Sequence, residues 1–141
     1  MTLGERCRIE QGVRLETGGN GRLQIGNDVV LTQGVVLVAH MDVQIGDGAM
    51  IGEYASVRDQ NHVIDGVTRV RDSGFRCAPV SVGTNVWIGR GAVVLPGATL
   101  EDGAVVGANS VVKGRVPAGE IWAGVPARFI RRREGWPTTV A

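Results

Sequence analysis

The sequence predicts an all-β domain wound as a coil of very short strands, and three observations carry that expectation. Aliphatic residues fall at every sixth position, at Val82, Ile88, Val94, Leu100, Val106 and Val112. Four residues after each comes a small or medium one: Val86, Ala92, Ala98, Ala104, Ser110 and Val116. Glycine follows the aliphatic residue directly at Gly83, Gly89 and Gly107. A period of six fits neither the 3.6 of a helix nor the alternation of one long strand. It fits a very short strand, a turn and the next strand, each strand burying one large apolar side chain. Such a unit cannot bury its apolar face alone, so the core must come from coils stacked on one another.

Taken in order, residues 1–24 read as the first coil. Ile9 and Leu15 keep the step, and TGGNG at 17–21 breaks it as a turn. From Ile25 the step runs through Leu31 and Leu37, with Val29 and Val35 in the small positions. Two extra residues follow Leu37, and Ile45, Ile51 and Val57 form the next coil. About five coils are expected in a single domain spanning residues 1–141. The step fails between Val57 and Val82, where the segment 58–81 inserts an excess of about nineteen residues, a length that in a compact domain is functional or disordered. Val82 resumes the stacking, so this loop leaves and re-enters at one corner. Valines alternating with polar residues at 63–70, and Phe75, point to packing on a surface such as a neighbouring subunit. After Pro117 the pattern gives way to a tail, 118–141, expected to leave the coil over 121–133 and to fray from Gly135.

Composition narrows the function classes. The chain has 22 glycines, about twice the usual share, and many recur with the repeat, where corners need permissive backbone angles. A net charge of +1 gives no global electrostatic case for nucleic acid or membrane. The opening MTLGERCRIEQGVRLE holds no apolar run, so neither a signal peptide nor a membrane span is expected. Cys7 and Cys77 match no ligand or disulfide spacing and fit reduced thiols in the cytoplasm. No P-loop or dinucleotide fingerprint is present.

The six-residue pattern, together with NVWIG at 85–89 and IWAGVPARFI at 121–130, resembles the hexapeptide repeat of left-handed parallel β-helix proteins, most of which are acyltransferases. The pattern is closest to that of the sugar O-acetyltransferases. The resemblance implies three hexads to each triangular coil, with coils stacked about 4.8 Å apart. Its left-handed winding runs against the usual right-handed crossover. It further implies acetyl-CoA as co-substrate, no metal, a carbohydrate acceptor, and a cytoplasmic homotrimer with neither nucleic-acid nor membrane partners.

Site residues follow from the same resemblance. His62, in RDQNHVID and 25 residues before Trp87, matches the histidine that serves this family as general base. An imidazole titrating near neutrality suits removal of a proton from a hydroxyl or amine that attacks a thioester. The plainer alternative is a solvated loop histidine. Asp59 and Asp65 lie within reach as orienting acceptors, while Asp59 or Asn61 could instead shape the turn through side chain-to-backbone bonds. His40 stands three residues past Leu37, as Gln60 stands three past Val57, so stacking brings it one coil from the segment ending in His62. The family has an acidic acceptor contact at that corner, and an exposed strand histidine is the alternative. Thr32 or Gln33 falls where the family often has an asparagine near the oxyanion. For the cofactor, Trp87, Gly89, Ala108 and Ser110 match the pantetheine groove, with subunit packing as the alternative for Trp87. Lys113, Arg128 and Arg131 match groups near the nucleotide phosphates, where a solvated tail is the alternative reading of the RRR run at 131–133. Two histidines fall short of the three-histidine zinc site known in similar folds. Transfer of acetyl to a sugar hydroxyl is the leading expectation. N-acetylation of an amino sugar and a non-catalytic β-helix scaffold are the alternatives.

Overall fold

In the computed structural model, which describes residues 1–137, each large aliphatic residue of the repeat turns inward and the residue before it turns outward. Val82, Ile88, Val94, Leu100, Val106 and Val112 are at most 2% exposed, and the small positions four residues on are buried with them. The strands are two to four residues long at most steps, too short to pair with anything but the same step of the next coil. The result is a left-handed parallel β-helix with three flat faces.

Face A stacks Thr2–Leu3, Arg22–Ile25, Asp42–Ile45, Val80–Val82, Thr99–Leu100 and Arg115–Val116. Face B stacks Arg8–Ile9, Val30–Leu31, Met50–Ile51, Trp87–Ile88, Val105–Val106 and Glu120–Gly124. Face C stacks Arg14–Thr17, Val36–Ala39, Ser56–Arg58, Val93–Val94 and Val111–Val112. Pairing keeps the inward residues in one column, as in Leu31 beside Ile51 and Ile51 beside Ile88. The core is therefore a continuous aliphatic stack along the axis.

Glycines serve two distinct purposes. Gly89, directly after Ile88, has no left-handed backbone; a Cβ there would stand 2.6 Å from the Ala108 amide nitrogen of the next coil. Its smallness allows the coils to close. Gly91 does turn left-handed, at φ 67°, and Asn109 takes the same role one coil on at φ 57°. The expectation that the repeat glycines relieve corner angles thus holds for the second kind and not for the glycine directly following each aliphatic residue.

The coil count holds, and two expectations about the tail are corrected. Faces A and B each gather six coil strands and face C five, so five complete coils are followed by a sixth that lacks its third side. The segment 121–133 does not leave the coil. Glu120–Gly124 joins face B beside Val105–Val106, and Ala127–Arg132 folds back on it antiparallel with a bulge between Ile121 and Trp122. Ile121 and Trp122 continue the outward–inward alternation of the repeat, so the tail finds a ready edge to extend. Nor does the chain fray at Gly135. The Trp136 indole covers Gly103 and Gly119, where a Cβ would lie 2.1 and 2.0 Å from ring atoms. Arg133 stacks 5.1 Å from the indole centre and donates to the Gly103 carbonyl at 3.1 Å. Residues 138–141 of the expected tail lie outside the described residues.

Candidate functional site

The inserted loop is built as a hairpin on the edge between faces C and A. Gln60–His62 pairs antiparallel with Phe75–Cys77, which sets His62 opposite Phe75. A short 3-10 turn, Val70–Asp72, lies between the two strands. The root is closed by the Ala78 amide donating to the Asp59 carbonyl at 2.9 Å. His62 is exposed, and beside it opens a depression of about 270 Å³ lined by Asn61, His62, Ile64, Arg76, Cys77 and Pro96.

His40 and His62 meet on one phenyl ring. The Phe75 centroid stands 4.8 Å from each imidazole, edge-on to His40 at 78° and tilted by 38° to His62. His40 is backed by Gly18 of the previous coil, where a Cβ would come 2.5 Å from Nε2. The coil count thus places the two histidines together as expected. It could not reveal that Phe75 seats both, because cross-strand pairing in the hairpin decides that. Alternating apolar residues within the loop were the only signal of an inward contact.

Asp59 and Asp65 do not orient His62. Asp59 is fully buried, and its carboxylate accepts the amides of His40, Met41 and Asp42 at 2.8, 2.7 and 2.7 Å. It shapes the turn through backbone bonds instead, because three successive amides at that corner have no carbonyl within the coil to receive them. That geometry turns its carboxylate away from an acceptor as well. Asp65 pairs with Arg76 across the hairpin. Asn61 stands opposite Arg76 and is exposed.

Thr32 and Gln33 lie on a different edge, between faces B and C. The Thr32 hydroxyl donates to the Ile51 carbonyl at 2.7 Å, and the Gln33 amide donates to the Glu10 carboxylate at 3.1 Å. Within one chain they do not join His40 and His62, because they follow Leu31 on face B, whereas His40 follows Leu37 on face C, one hexad further round the coil.

Face B carries an outward row of Val30, Met50, Trp87, Val105 and Ile121, ending at Arg131. Met50 and Trp87 are about half exposed, at 48% and 55%. Two grooves of about 410 Å³ each flank the indole. One is lined by Met50, Asn85, Ile121, Arg131 and Arg133, the other by Thr32, Gly52, Gly89, Arg90 and Ala108. Trp87, Gly89, Ala108 and Arg131 therefore do share one surface. Met50, Val105 and Ile121 complete it and were missed, though their place before each inward aliphatic residue marks them as outward.

The remaining cofactor candidates are placed elsewhere. Ser110 is fully buried, its hydroxyl accepting the Gly124 amide at 3.0 Å, so it ties the returning tail to the coil and cannot face a groove. Lys113 stands on the edge between faces C and A, which is the edge of His62. Arg128 is exposed and donates to its neighbour's carbonyl at 3.2 Å. Among the described residues no group of three or more His, Cys, Asp or Glu is placed to hold a metal. Among the described residues no helix is long and apolar enough to cross a membrane.

Residues 79–114 match the family model described as bacterial transferase hexapeptide (six repeats). The galactoside O-acetyltransferase of Escherichia coli K12 is 32% identical over 130 residues, covering 92% of this chain and 63% of the relative. WbbJ of the same organism, named for lipopolysaccharide-biosynthesis O-acetyl transfer, is 31% identical over 143 residues, covering 94% of this chain and 71% of its own. Among solved structures, a hexapeptide-repeat acetyltransferase of Vibrio cholerae complexed with acetyl coenzyme A superposes with a TM-score of 0.82 at 28% identity. That match covers 94% of this chain and 71% of the other. The chain spans 41%, 63% and 71% of the length of three curated relatives it matches. Repeat, fold and relatives agree: this chain belongs to the hexapeptide-repeat acetyltransferase family.

Proposed function

We propose that the protein transfers an acetyl group from acetyl-CoA to a hydroxyl of a sugar or sugar-like acceptor, with His62 as general base. The observation that carries this reading is the exposed His62 imidazole beside an open depression, with a second imidazole seated on the same phenyl ring. In this reading His62 accepts the hydroxyl proton as the oxygen forms its bond to the thioester carbon. The carbonyl electrons pass to oxygen, which requires a nearby N–H donor. Collapse breaks the carbon–sulfur bond, and the leaving thiolate takes from His62 the proton that came from the acceptor hydroxyl. Transfer is direct in this reading: Cys7 donates its thiol to main-chain carbonyls, and Cys77, though it shares the depression with His62, has no hydrogen bond to a base among the described residues that would make it an acyl carrier. His40 contributes a polar contact to the acceptor.

The pantetheine arm would lie along the face B grooves beside Trp87, Gly89 and Ala108, with Arg131 and Arg128 toward the phosphates. His62 stands on the edge opposite face B, so in one chain base and groove point in different directions. A homotrimer resolves this by bringing the His62 edge of one subunit, with its Lys113, against face B of the next. The apolar row from Val30 to Ile121 gives that contact its driving force.

Purified protein, acetyl-CoA and a panel of methyl galactoside, methyl glucoside, maltose and amino sugars, read by thiol release, test the reading. His62→Ala should lower kcat by about a hundredfold or more with the circular-dichroism spectrum unchanged. Wild-type turnover in that variant refutes His62 as the base. Calorimetry showing no binding of coenzyme A would leave a scaffold.

A further inference from the structure

Asp59 is a carboxylate that is fully buried, yet it forms no ion pair among the described residues. Burying an ionised group is expensive unless strong donors replace its water. Here Oδ1 receives the His40 amide and Oδ2 receives those of Met41 and Asp42, all at 2.8 Å or less. Three successive amides form a concave nest that suits an anion. The occupant of this nest is the chain's own side chain, delivered from the root of the hairpin that bears His62.

The corresponding corner one coil earlier is built without such a group. Between Arg14–Thr17 and Arg22–Ile25 the chain turns on Gly18, Gly19 and Gly21, and the Gly21 amide donates to the Gly18 carbonyl at 2.9 Å. The corner at 40–42 has no glycine and depends on Asp59 to converge its amides. Asp59 also belongs to the hairpin, since its carbonyl accepts the Ala78 amide of the returning strand. One residue therefore joins the corner that carries His40 to both legs of the hairpin that carries His62. Phe75, on the returning leg, fills the space between the two rings.

We propose that Asp59 is a positioning residue that holds His40 and His62 as one acceptor-facing unit, acting through the main chain under His40. The proposal rests on the acceptor-contact role of His40 given above. It assigns Asp59 neither proton transfer nor acceptor contact. In Asp59→Asn an NH2 group must face at least one of the three amides, so the corner loses a bond and gains a donor–donor clash.

The test is a double-mutant cycle on the acceptor that wild type acetylates fastest, with thiol release as readout. Asp59→Asn should raise the acceptor KM about tenfold, and the acetyl-CoA KM should stay within about twofold. In a His40→Ala background the same substitution should add less than about twofold to the acceptor KM, because the residue it acts through is gone. An equal rise in both KM values, or full additivity with His40→Ala, overturns the proposal as a general loss of structure would. Should Asp59→Asn fail to fold, native-state hydrogen exchange on the wild type decides. Slow, concerted exchange of the His40, Met41 and Asp42 amides supports the clamp, and rapid exchange of Met41 overturns it. A wild type that turns over none of the acceptors refutes the enzymatic reading, whereas turnover with an indifferent Asp59→Asn refutes only this inference.

Discussion

A single methyl group at Gly18 should separate the placement of His40 from the stability of the fold. The three atoms nearest a Cβ at Gly18 all belong to the His40 ring: Nε2 at 2.5 Å, Cδ2 at 2.8 Å and Cε1 at 2.9 Å. Ordinary carbon contacts lie near 3.5 Å or beyond, so the ring must retreat by about 1 Å. Gly18 has no left-handed backbone and is only half-buried, so the His40 ring is the nearest group that an alanine there would press on. The ring cannot retreat freely, because Phe75 stands edge-on to it and Asp59 fixes the main chain beneath. A misplacement of about 1 Å near reacting groups can reduce rate by about a hundredfold. His40 touches the acceptor and not the reacting bond in the proposed mechanism, so the expected fall in acceptor kcat/KM lies between about tenfold and that limit. The assay is thiol release at saturating acetyl-CoA with the acceptor varied, alongside a thermal melt. The melting temperature should move by less than about 3 °C. Wild-type acceptor kcat/KM in Gly18→Ala refutes the reasoning, since it would mean that the His40 ring position is irrelevant to the reaction.

Other outcomes test the frame around the site. Gly89→Ala drives a Cβ into the Ala108 and Gly107 main chain, so it should destabilise the fold by about 1–3 kcal/mol in urea unfolding; an unchanged midpoint would show that coil spacing is softer than the packing suggests. Trp136→Ala uncovers Gly103 and Gly119 and removes the Arg133 stack. It should lower stability by about 1–2 kcal/mol, whereas a frayed terminus would give no change. The Asp28 carboxyl is held below its ordinary range by its bond to Arg6. A lowered folded-state value stabilises above the unfolded carboxylate range near pH 4 and loses that contribution as pH falls through the folded value. Asp28→Asn should therefore be less stable than wild type at pH 7 in low salt, and the deficit should shrink as pH falls below the ordinary carboxylate range; a deficit that does not change with pH argues against the ion pair.

The expectation at residue 121 shows why the tail was misjudged. The six-residue step predicts a strand only where a small residue follows at the fourth place, and after Pro117 that signature disappears. The structure continues the sheet regardless, because Ile121 and Trp122 meet the open edge of Val105–Val106, and Ala127–Arg132 then meets the edge so made. Ser110 fails in the opposite sense. The resemblance made it a groove candidate, yet its place in the repeat is the inward small position, and its hydroxyl accepts the Gly124 amide.

The β-helix, the inward column, the place where the coil is interrupted and the pairing of His40 with the segment that ends in His62 are all legible in the order of residues. A strict repeat makes these local, since each step of six residues repeats the same geometry one coil further along the axis. Which ring seats the two imidazoles, which donors receive the buried Asp59 carboxylate and how the tail extends face B became legible only in the folded chain. The first two depend on contacts between the hairpin and a corner 17 to 19 residues earlier, which obey no period. The hairpin's cross-strand register and the nest of amides exist only once the coil has closed beneath them.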